Sequence, residues 1–529
     1  MDFMFLNKND QVLLDFDARS EIIAKDRFFD NAQRYICADE ETLLHRQALF
    51  ADILKINGLS DFLCALSEKL TEYEPFITYH LKAANREERV RNILFPRIYI
   101  DLVSFIHTTL SPMMQSVTSE SVKHLYALAK EDIESKEYQR IKKYYEKNTG
   151  KLNSIQSVTI GVNLNAMYAP KEAGVLSFNA EEFKSGDLLD RILRLDFAKD
   201  DYRCIAPLTI PEEKSPLQKN WEEEQLAFRG FHTLAPLTNF DRKLTFQENQ
   251  QINYAILKAM GHALDSGLNH CSNRLLNYAQ KKLLVYIKMQ ASLAFVASAI
   301  SRIKIFQQKK IPLCFPKITP DRAFDFISLY DDNLSRVKEK NEVIPNTVTL
   351  DSDVCSYIVA GPNSGGKTVF LNSVGAAQYY FQLGMPIPAR SATMPICDAI
   401  YKVSVEKQKA SNSAGRFEQE CITLSEILKK ATKDSLVLID EAFTSTSSSA
   451  AVPIAANFIA ELCKIGAKCI FVTHYHQLCE TDPKIAACGS RVDYLHAAIN
   501  GEKRCYIIQK GKAEANSYAQ DIAKRYGLL

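Results

Sequence analysis

From about residue 20 to 147 the chain contains long runs without glycine that mix apolar and charged positions, the pattern of a mostly helical segment. The clearest stretch is Ser119 to Asn148. Val122, Leu125, Leu128, Ala129, Ile133, Tyr138, Ile141 and Tyr145 recur there at helical spacing, with lysine and glutamate on the other face. Read as one helix of about 30 residues, it predicts a rod roughly 45 Å long. The period then changes. Ser154 to Asn179 is rich in Val, Ile and Thr with turn residues at Ala169-Pro170-Lys171, predicting two or three short strands. Phe197 to Asp241 is weakly patterned and reads as irregular. A second long helical run follows from about Thr245 to Lys310, eased by Gly261 and Gly267.

From about Ile344 onward, short apolar runs alternate with helical patterns. SYIVAG, AIYKVSV, SLVLID and KCIFVTH each precede a helical stretch, as expected of an α/β layer with a largely parallel sheet. The expected fold class is therefore multidomain: an α-helical N-terminal core and lever region with a small β module, then an α/β domain. The boundaries read as a helical core over 1–118, long lever helices over 119–310 with the β module around 154–179, and the α/β domain over 311–529. We find no internal repeat and no low-complexity tract.

Composition changes this picture little. A length of 529 residues accommodates several domains, and 46% hydrophobic with 24% charged residues is ordinary for globular proteins. The formal charge of +2 does not by itself announce a nucleic-acid partner. One tract stands out: from Ser266 to Pro320 there is no Asp or Glu, yet Arg274, Lys281, Lys282, Lys288, Arg302, Lys304, Lys309, Lys310 and Lys317 lie within it. It reads either as a solvated face near acidic partner surfaces or as a surface that neutralises phosphates. The 13 cysteines form no CxxC pair, which favours free thiols in a reducing compartment. The N-terminus carries acids where a signal peptide needs an apolar run. No stretch approaches about 18 uninterrupted apolar residues, so no membrane span is expected, and the chain reads as cytoplasmic.

The chemistry gathers in the last third. Gly361-Pro362-Asn363-Ser364-Gly365-Gly366-Lys367-Thr368 follows the apolar strand SYIVA and opens a helix, the context of a phosphate-binding loop. Glycines there let backbone N–H groups curl around phosphates, and the helix N-terminus adds its field. Lys367 is expected on the β/γ-phosphates and the Thr368 hydroxyl on Mg²⁺, which makes ATP and Mg²⁺ the expected cofactors. Further on, Ser435-Leu-Val-Leu-Ile-Asp440-Glu441 is an apolar strand ending in two acids. Asp440 is expected to hold the Mg²⁺ through its water shell and Glu441 to polarise the attacking water. A third strand closes on Thr473-His474, where a histidine senses the γ-phosphate or orients the water; the nearby His476 is given no role. Between loop and acids, Ser411-Asn412-Ser413 and Gly415 lead into a helix from about Phe417. Backbone N–H groups and Arg416 there read either as a phosphate contact, aimed at a partner subunit's nucleotide, or as an ordinary N-capped helix.

Together these residues resemble the MutS family, ABC-type ATPases of DNA mismatch repair and related DNA transactions. The resemblance rests on IPN at 344–346, GPNSGGKT, MPIPAR from Met385 to Arg390, LVLIDEAFTSTS, FVTHYHQL and the closing GKAEANSYAQDIAKRYGL. It implies phosphate and Mg²⁺ binding by Lys367 and Thr368, hydrolysis supported by Asp440 and Glu441, and a switch role for His474. It also implies a homodimer in which each nucleotide lies between the loop of one subunit and the Gly415-Arg416 segment of the other. Gly415-Arg416-Phe417 departs from the family's usual Ser-Thr-Phe. The resemblance further suggests a short divergent member without the mismatch-reading domain or the C-terminal dimerising helices. The expected function is an ATP-dependent clamp on duplex or branched DNA, acting in repair or recombination. The alternatives are the same ATPase acting on structured RNA or ribosomes, and the motor subunit of an ABC-type transporter.

Overall fold

The structure is a computed structural model, and it describes residues 13–14, 32–82, 88–149, 156–164, 170–181, 206–207, 273–362, 365–404, 415–443, 446–479, 483–500 and 503–512. The chain divides into two compact units. One comprises Met1–Ala65, Met113–His124 and Ala291–Leu529, the other Leu66–Pro112 and Leu125–Gln290.

A two-residue strand, β1 (Leu13–Leu14), precedes the first described helix. The Asp39 side chain accepts from the Thr42 N–H at 2.8 Å and so opens α1 (Glu40–Lys55), with acids in its first turn and Lys55 in its last, as the helix dipole favours. Then come α2 (Leu59–Lys82) and α3 (Glu88–Leu110), the latter with Pro96 in its interior. The rod expected over 119–148 is two helices, α4 (Glu120–Glu134) and α5 (Lys136–Thr149). Ser135 breaks it. Its hydroxyl donates to the Asp132 carbonyl at 2.7 Å and accepts from the Tyr138 N–H at 3.1 Å, capping α5 while the apolar spacing runs on. The start of α4 is held by buried Asp52, which accepts from the N–H groups of Thr118 (2.9 Å) and Ser119 (2.7 Å) and from the Thr118 hydroxyl (2.6 Å). Burial opposes ionisation of Asp52, but those donors outweigh it and hold the carboxyl below its ordinary range.

The Val/Ile/Thr-rich stretch forms an antiparallel hairpin of β2 (Ser157–Leu164) and β3 (Pro170–Asn179), extended by β4 (Ala206–Pro207). Pro170 and Lys171, expected in the turn, already belong to β3. Apart from β4, the segment read as irregular lies outside the described residues, as does the second helical run before Asn273. Its described part is again two helices, α6 (Asn273–Ile287) and α7 (Gln290–Gln308). Within the second unit, Asp132 on α4 is buried and accepts from the Tyr286 hydroxyl at 2.8 Å. It also pairs with Lys282 of α6 at 2.6 Å.

Other cations of the basic tract are paired in the same way. Lys282, Arg302 and Lys304 each face a carboxylate of this chain, namely Asp132 at 2.6 Å, Asp332 at 3.0 Å and Asp61 at 2.7 Å. Lys309 donates to the carbonyls of Arg336 and Lys338. Arg274, Lys281, Lys288, Lys310 and Lys317 stay exposed. The acids absent from the tract are thus supplied by distant segments. The helical run Asn273–Gln308 and a later helix, Ser448–Ile465, are long and apolar enough to cross a membrane. Half of the first apolar window and 39% of the second are buried within the protein.

The first unit carries two sheets. In chain order its further elements are β5 (Lys317–Ile318), β6 (Phe324–Leu329), α8 (Asp332–Val337), β7 (Asn346–Leu350), β8 (Ser356–Ala360), α9 (Lys367–Gln382), β9 (Ser391–Met394) and β10 (Ala399–Ser404). They continue with α10 (Arg416–Lys430), β11 (Leu436–Asp440), α11 (Ser448–Ile465), β12 (Lys468–Val472), α12 (Pro483–Ala487), β13 (Val492–Asn500) and β14 (Lys503–Lys510). The larger sheet has the order β1-β10-β11-β12-β8-β13-β14, with only the β13–β14 pair antiparallel. Every residue of β8, β11 and β12 is buried, as covering both faces of a parallel sheet requires. The smaller, mixed sheet runs β5-β9-β6-β7 and was not foreseen from sequence; two of its strands, β5 and β9, have only two and four residues. Buried Asn346 joins β7 to β14 by accepting from the Ile508 N–H at 2.7 Å and donating to the Tyr506 carbonyl at 3.4 Å. A second buried connection ties α7 to α9: Arg302 pairs with Asp332, which also accepts from the Tyr380 hydroxyl at 2.6 Å.

Candidate nucleotide site

The candidate residues meet at the carboxyl ends of adjacent parallel strands. β8 lies between β12 and β13, and β12 between β8 and β11. In register, Asp440 stands opposite Val472, Val472 opposite Val359, and His496 opposite Ala360. The loop after β8, the acids at the end of β11 and the Thr473-His474 exit of β12 therefore share one rim. Such a rim is where ligands bind in open α/β sheets.

The loop leaves β8 through Gly361 at φ 134° and enters α9 through Gly366 at φ 93°, the left-handed cap of that helix. Its glycines are also required by packing. A Cβ on Gly365 would lie 2.9 Å from the Ala497 Cβ and 2.9 Å from the Pro362 carbonyl oxygen; one on Gly361 would lie 3.2 Å from Ala497. Ala497 of β13 is thus the floor of the loop, a role that sequence reading missed and that no local motif could signal. Asn363 and Ser364 lie outside the described residues.

Lys367 is 4% exposed and donates from Nζ to the carbonyls of Gly361 (2.8 Å) and Pro362 (3.0 Å). Burial pushes its ammonium below the ordinary lysine range, while the Glu441 and Asp440 carboxylates push the other way. A buried cation resting on neutral carbonyls suits an anion brought to the loop. The Thr368 hydroxyl donates to the Asp440 carboxylate at 2.9 Å. That places one hydroxyl and one carboxylate oxygen side by side, a hard-oxygen donor set that fits Mg²⁺ kept largely in its water shell.

Glu441 follows in a left-handed conformation, φ 53°, with its N–H donating to the Val472 carbonyl at 3.0 Å. A non-glycine residue there costs about 1–3 kcal/mol and persists only where its surroundings hold it. Here it turns the half-buried Glu441 out of the strand direction beside Asp440. Phe443 repeats the conformation at φ 67°. On the next strand Thr473 is buried and donates its N–H to the Val359 carbonyl at 3.0 Å, binding the β12 exit to the base of the loop. His474 is half-buried, its ring 4.1 Å from that of Tyr475, and His476 begins a short 3₁₀ turn. Gly415 is exposed and N-caps α10, one residue earlier than the sequence suggested; among the described residues nothing lies within 4 Å of where its Cβ would be. Arg416 is the first residue of that helix, and the segment 405–414 before it lies outside the described residues.

Residues 357–528 match the model of MutS domain V. The chain is 26% identical over 298 residues to the DNA mismatch repair protein MutS of Staphylococcus saprophyticus, a region making up 56% of this chain and 33% of that protein. It is 29% identical over 210 residues to the MutS of Staphylococcus carnosus, 40% of this chain and 24% of the relative. Over 188 residues it is 30% identical to the MutS of Aquifex pyrophilus, 35% of this chain and 22% of the relative. The chain thus spans between about a fifth and a third of the length of these curated relatives.

Proposed function

The chain belongs to the MutS family, and from that premise we propose that it is an ATPase whose nucleotide cycle drives a dimeric clamp on duplex or branched DNA. The observation that carries the reading is the shared rim: Lys367 and Thr368 open α9, Asp440 ends β11 with Glu441 next, and the β12 exit lies beside them, with Thr368 and Asp440 in direct contact at 2.9 Å. Bound Mg²⁺·ATP supplies the reactive γ-phosphoryl and a divalent charge on its oxygens. The loop amides between Gly361 and Thr368 cradle phosphates, and Lys367 leaves its loop carbonyls for the β/γ-phosphates. Thr368 and Asp440 would hold the metal through hydroxyl and carboxylate. Glu441 would orient and polarise the attacking water, and His474 would serve as the γ-phosphate sensor.

The exposed Gly415 cap of α10, with Arg416 as the first helical residue, supports a contact with the partner subunit's nucleotide. Gel filtration with and without ATP in the Glu441→Gln variant tests the dimer; a monomer in both conditions refutes it. For the clamp, filter binding of duplex and branched DNA at two salt concentrations is the assay. Five cations of the basic tract stay exposed, so if they meet phosphates the affinity is expected to fall as salt rises. Failure to bind DNA at low salt removes the clamp reading, and preferential competition by structured RNA moves the target to RNA.

A further inference from the structure

Helix α10 reaches into the exit of the acidic strand. Glu420, one and a half turns into that helix and 5% exposed, accepts from the Phe443 N–H at 2.7 Å. The Phe443 ring, 1% exposed, stands 5.9 Å from Phe417 of the same helix at 54°. Its carbonyl accepts from the Tyr475 hydroxyl at 2.9 Å and from the Thr446 N–H at 3.2 Å. The Phe443 peptide is therefore gripped from two sides, by the helix that opens at Gly415 and by the residue after His474.

This grip has a physical task. Glu441 and Phe443 both hold left-handed backbones, at φ 53° and 67°, which relax unless something fixes them. The carboxylate on the Phe443 amide and the phenol on its carbonyl fix the peptide two residues beyond Glu441. Glu420 lies five residues from Gly415, about 7 Å along the helix, so a displacement at the helix N-terminus reaches it within the same rigid segment. Burial first, and then the Glu420 and Glu441 carboxylates, push the Tyr475 phenol up, in keeping with all three sharing one small volume.

We propose that Glu420 is a positioning residue for Glu441: through the Phe443 peptide it sets the direction of the Glu441 carboxylate, and it passes to Glu441 whatever contact the N-terminus of α10 makes. The proposal deepens the ATPase reading and rests on it for its catalytic readout. Tyr475 completes the grip from the His474 side.

The test uses the full chain with Glu420→Ala, Glu420→Gln and Tyr475→Phe. Glutamine keeps an oxygen acceptor for the Phe443 N–H, whereas alanine does not. In Glu420→Ala, kcat for ATP is expected to fall about tenfold or more, the scale of a reacting group displaced by a fraction of an ångström. The ATP Kd should stay within about threefold, and Glu420→Gln within about threefold of wild type in kcat, since both retain the binding contacts. Hydrogen exchange of the peptide 441–446 supplies a readout that needs no turnover: it should accelerate in Glu420→Ala and in Tyr475→Phe but not in Glu420→Gln. Wild-type kcat and exchange in Glu420→Ala overturn the proposal, as does a Glu420→Gln protein as impaired as the alanine variant. If Glu420→Ala does not fold, unchanged exchange and kcat in Tyr475→Phe overturn it. A wild-type protein that neither binds nor turns over ATP refutes the ATPase reading, and the exchange comparison still decides whether Glu420 holds this backbone.

Discussion

Replacing Gly365 with alanine adds one methyl at the most crowded point of the loop. Its carbon would stand 2.9 Å from the Ala497 Cβ and 2.9 Å from the Pro362 carbonyl oxygen. Carbon atoms in good contact sit about 3.5–4.0 Å apart, so the methyl overlaps Ala497 by roughly 0.6–1.1 Å. The Gly365 backbone is not left-handed, unlike Gly361 and Gly366, so the penalty is steric rather than conformational. Relief requires the loop to lift from β13, at a cost of about 1–3 kcal/mol, typical of overpacking. If the loop lifts in the free protein, the loss appears in stability; if ATP needs the seated loop, it appears as binding weakened about 5- to 150-fold. Ala497→Gly removes one of the two overlaps and should restore part of either loss, while itself costing about 0.5–1 kcal/mol as a strand glycine. The assay is a double-mutant cycle read by urea unfolding and by calorimetric ATP binding, with an expected coupling of at least about 0.5 kcal/mol. Wild-type stability and ATP affinity in Gly365→Ala would refute the claim that the loop is seated on β13. Absence of coupling to Ala497 would refute the identity of its floor.

Other consequences are as direct. Glu441→Gln should bind ATP with near-wild-type affinity but lose about 10²–10⁴ in kcat, measured by phosphate release, if Glu441 polarises the water. Asp332→Ala strips the carboxylate from buried Arg302 and the acceptor from Tyr380, and is expected to cost about 3–5 kcal/mol in chemical unfolding. Asp52→Ala should cost about 2–4 kcal/mol at neutral pH, because it removes charge-assisted acceptors from Thr118 and Ser119. Since the folded Asp52 carboxyl lies below the ordinary value of 3.8, its contribution is complete above that value and is lost as pH falls through the lower folded one. The stability difference between wild type and Asp52→Ala should therefore shrink only at acid pH, which unfolding curves across pH 2–7 will check.

Much of the site is legible in the linear order of residues. The runs SYIVA, LVLID and KCIFV are apolar at every position, and burial on both faces of a parallel sheet is what such runs demand. Because these strands run parallel, the polar residues that terminate each must gather at one edge. The linear order alone therefore groups Lys367, Thr368, Asp440, Glu441 and His474. The same local logic misread Ser135: apolar spacing passes through it unbroken, while its hydroxyl caps a new helix. In the small β5-β9-β6-β7 sheet, β5 and β9 have two and four residues, too few to show alternation, so the partners of β6 and β7 escaped notice.

What periodicity cannot contain is the identity of neighbours brought from elsewhere in the chain. Ala497 lies under Gly365, Asn346 pins β14, and Glu420 and Tyr475 hold Phe443, all across sequence gaps that carry no pattern. The basic tract makes the point in charge. In one dimension its lysines and arginines are alike, yet in three Asp132, Asp332 and Asp61 pair with Lys282, Arg302 and Lys304 while Arg274, Lys281, Lys288, Lys310 and Lys317 stay exposed. Backbone preference and burial pattern act over a few residues, so the chain alone announces its strands, its loop and the chemistry at their ends. Packing and ion pairing depend on which surfaces folding sets face to face, so the floor of the loop, the grip on Glu441 and the cations left to meet a partner emerge only in the folded molecule.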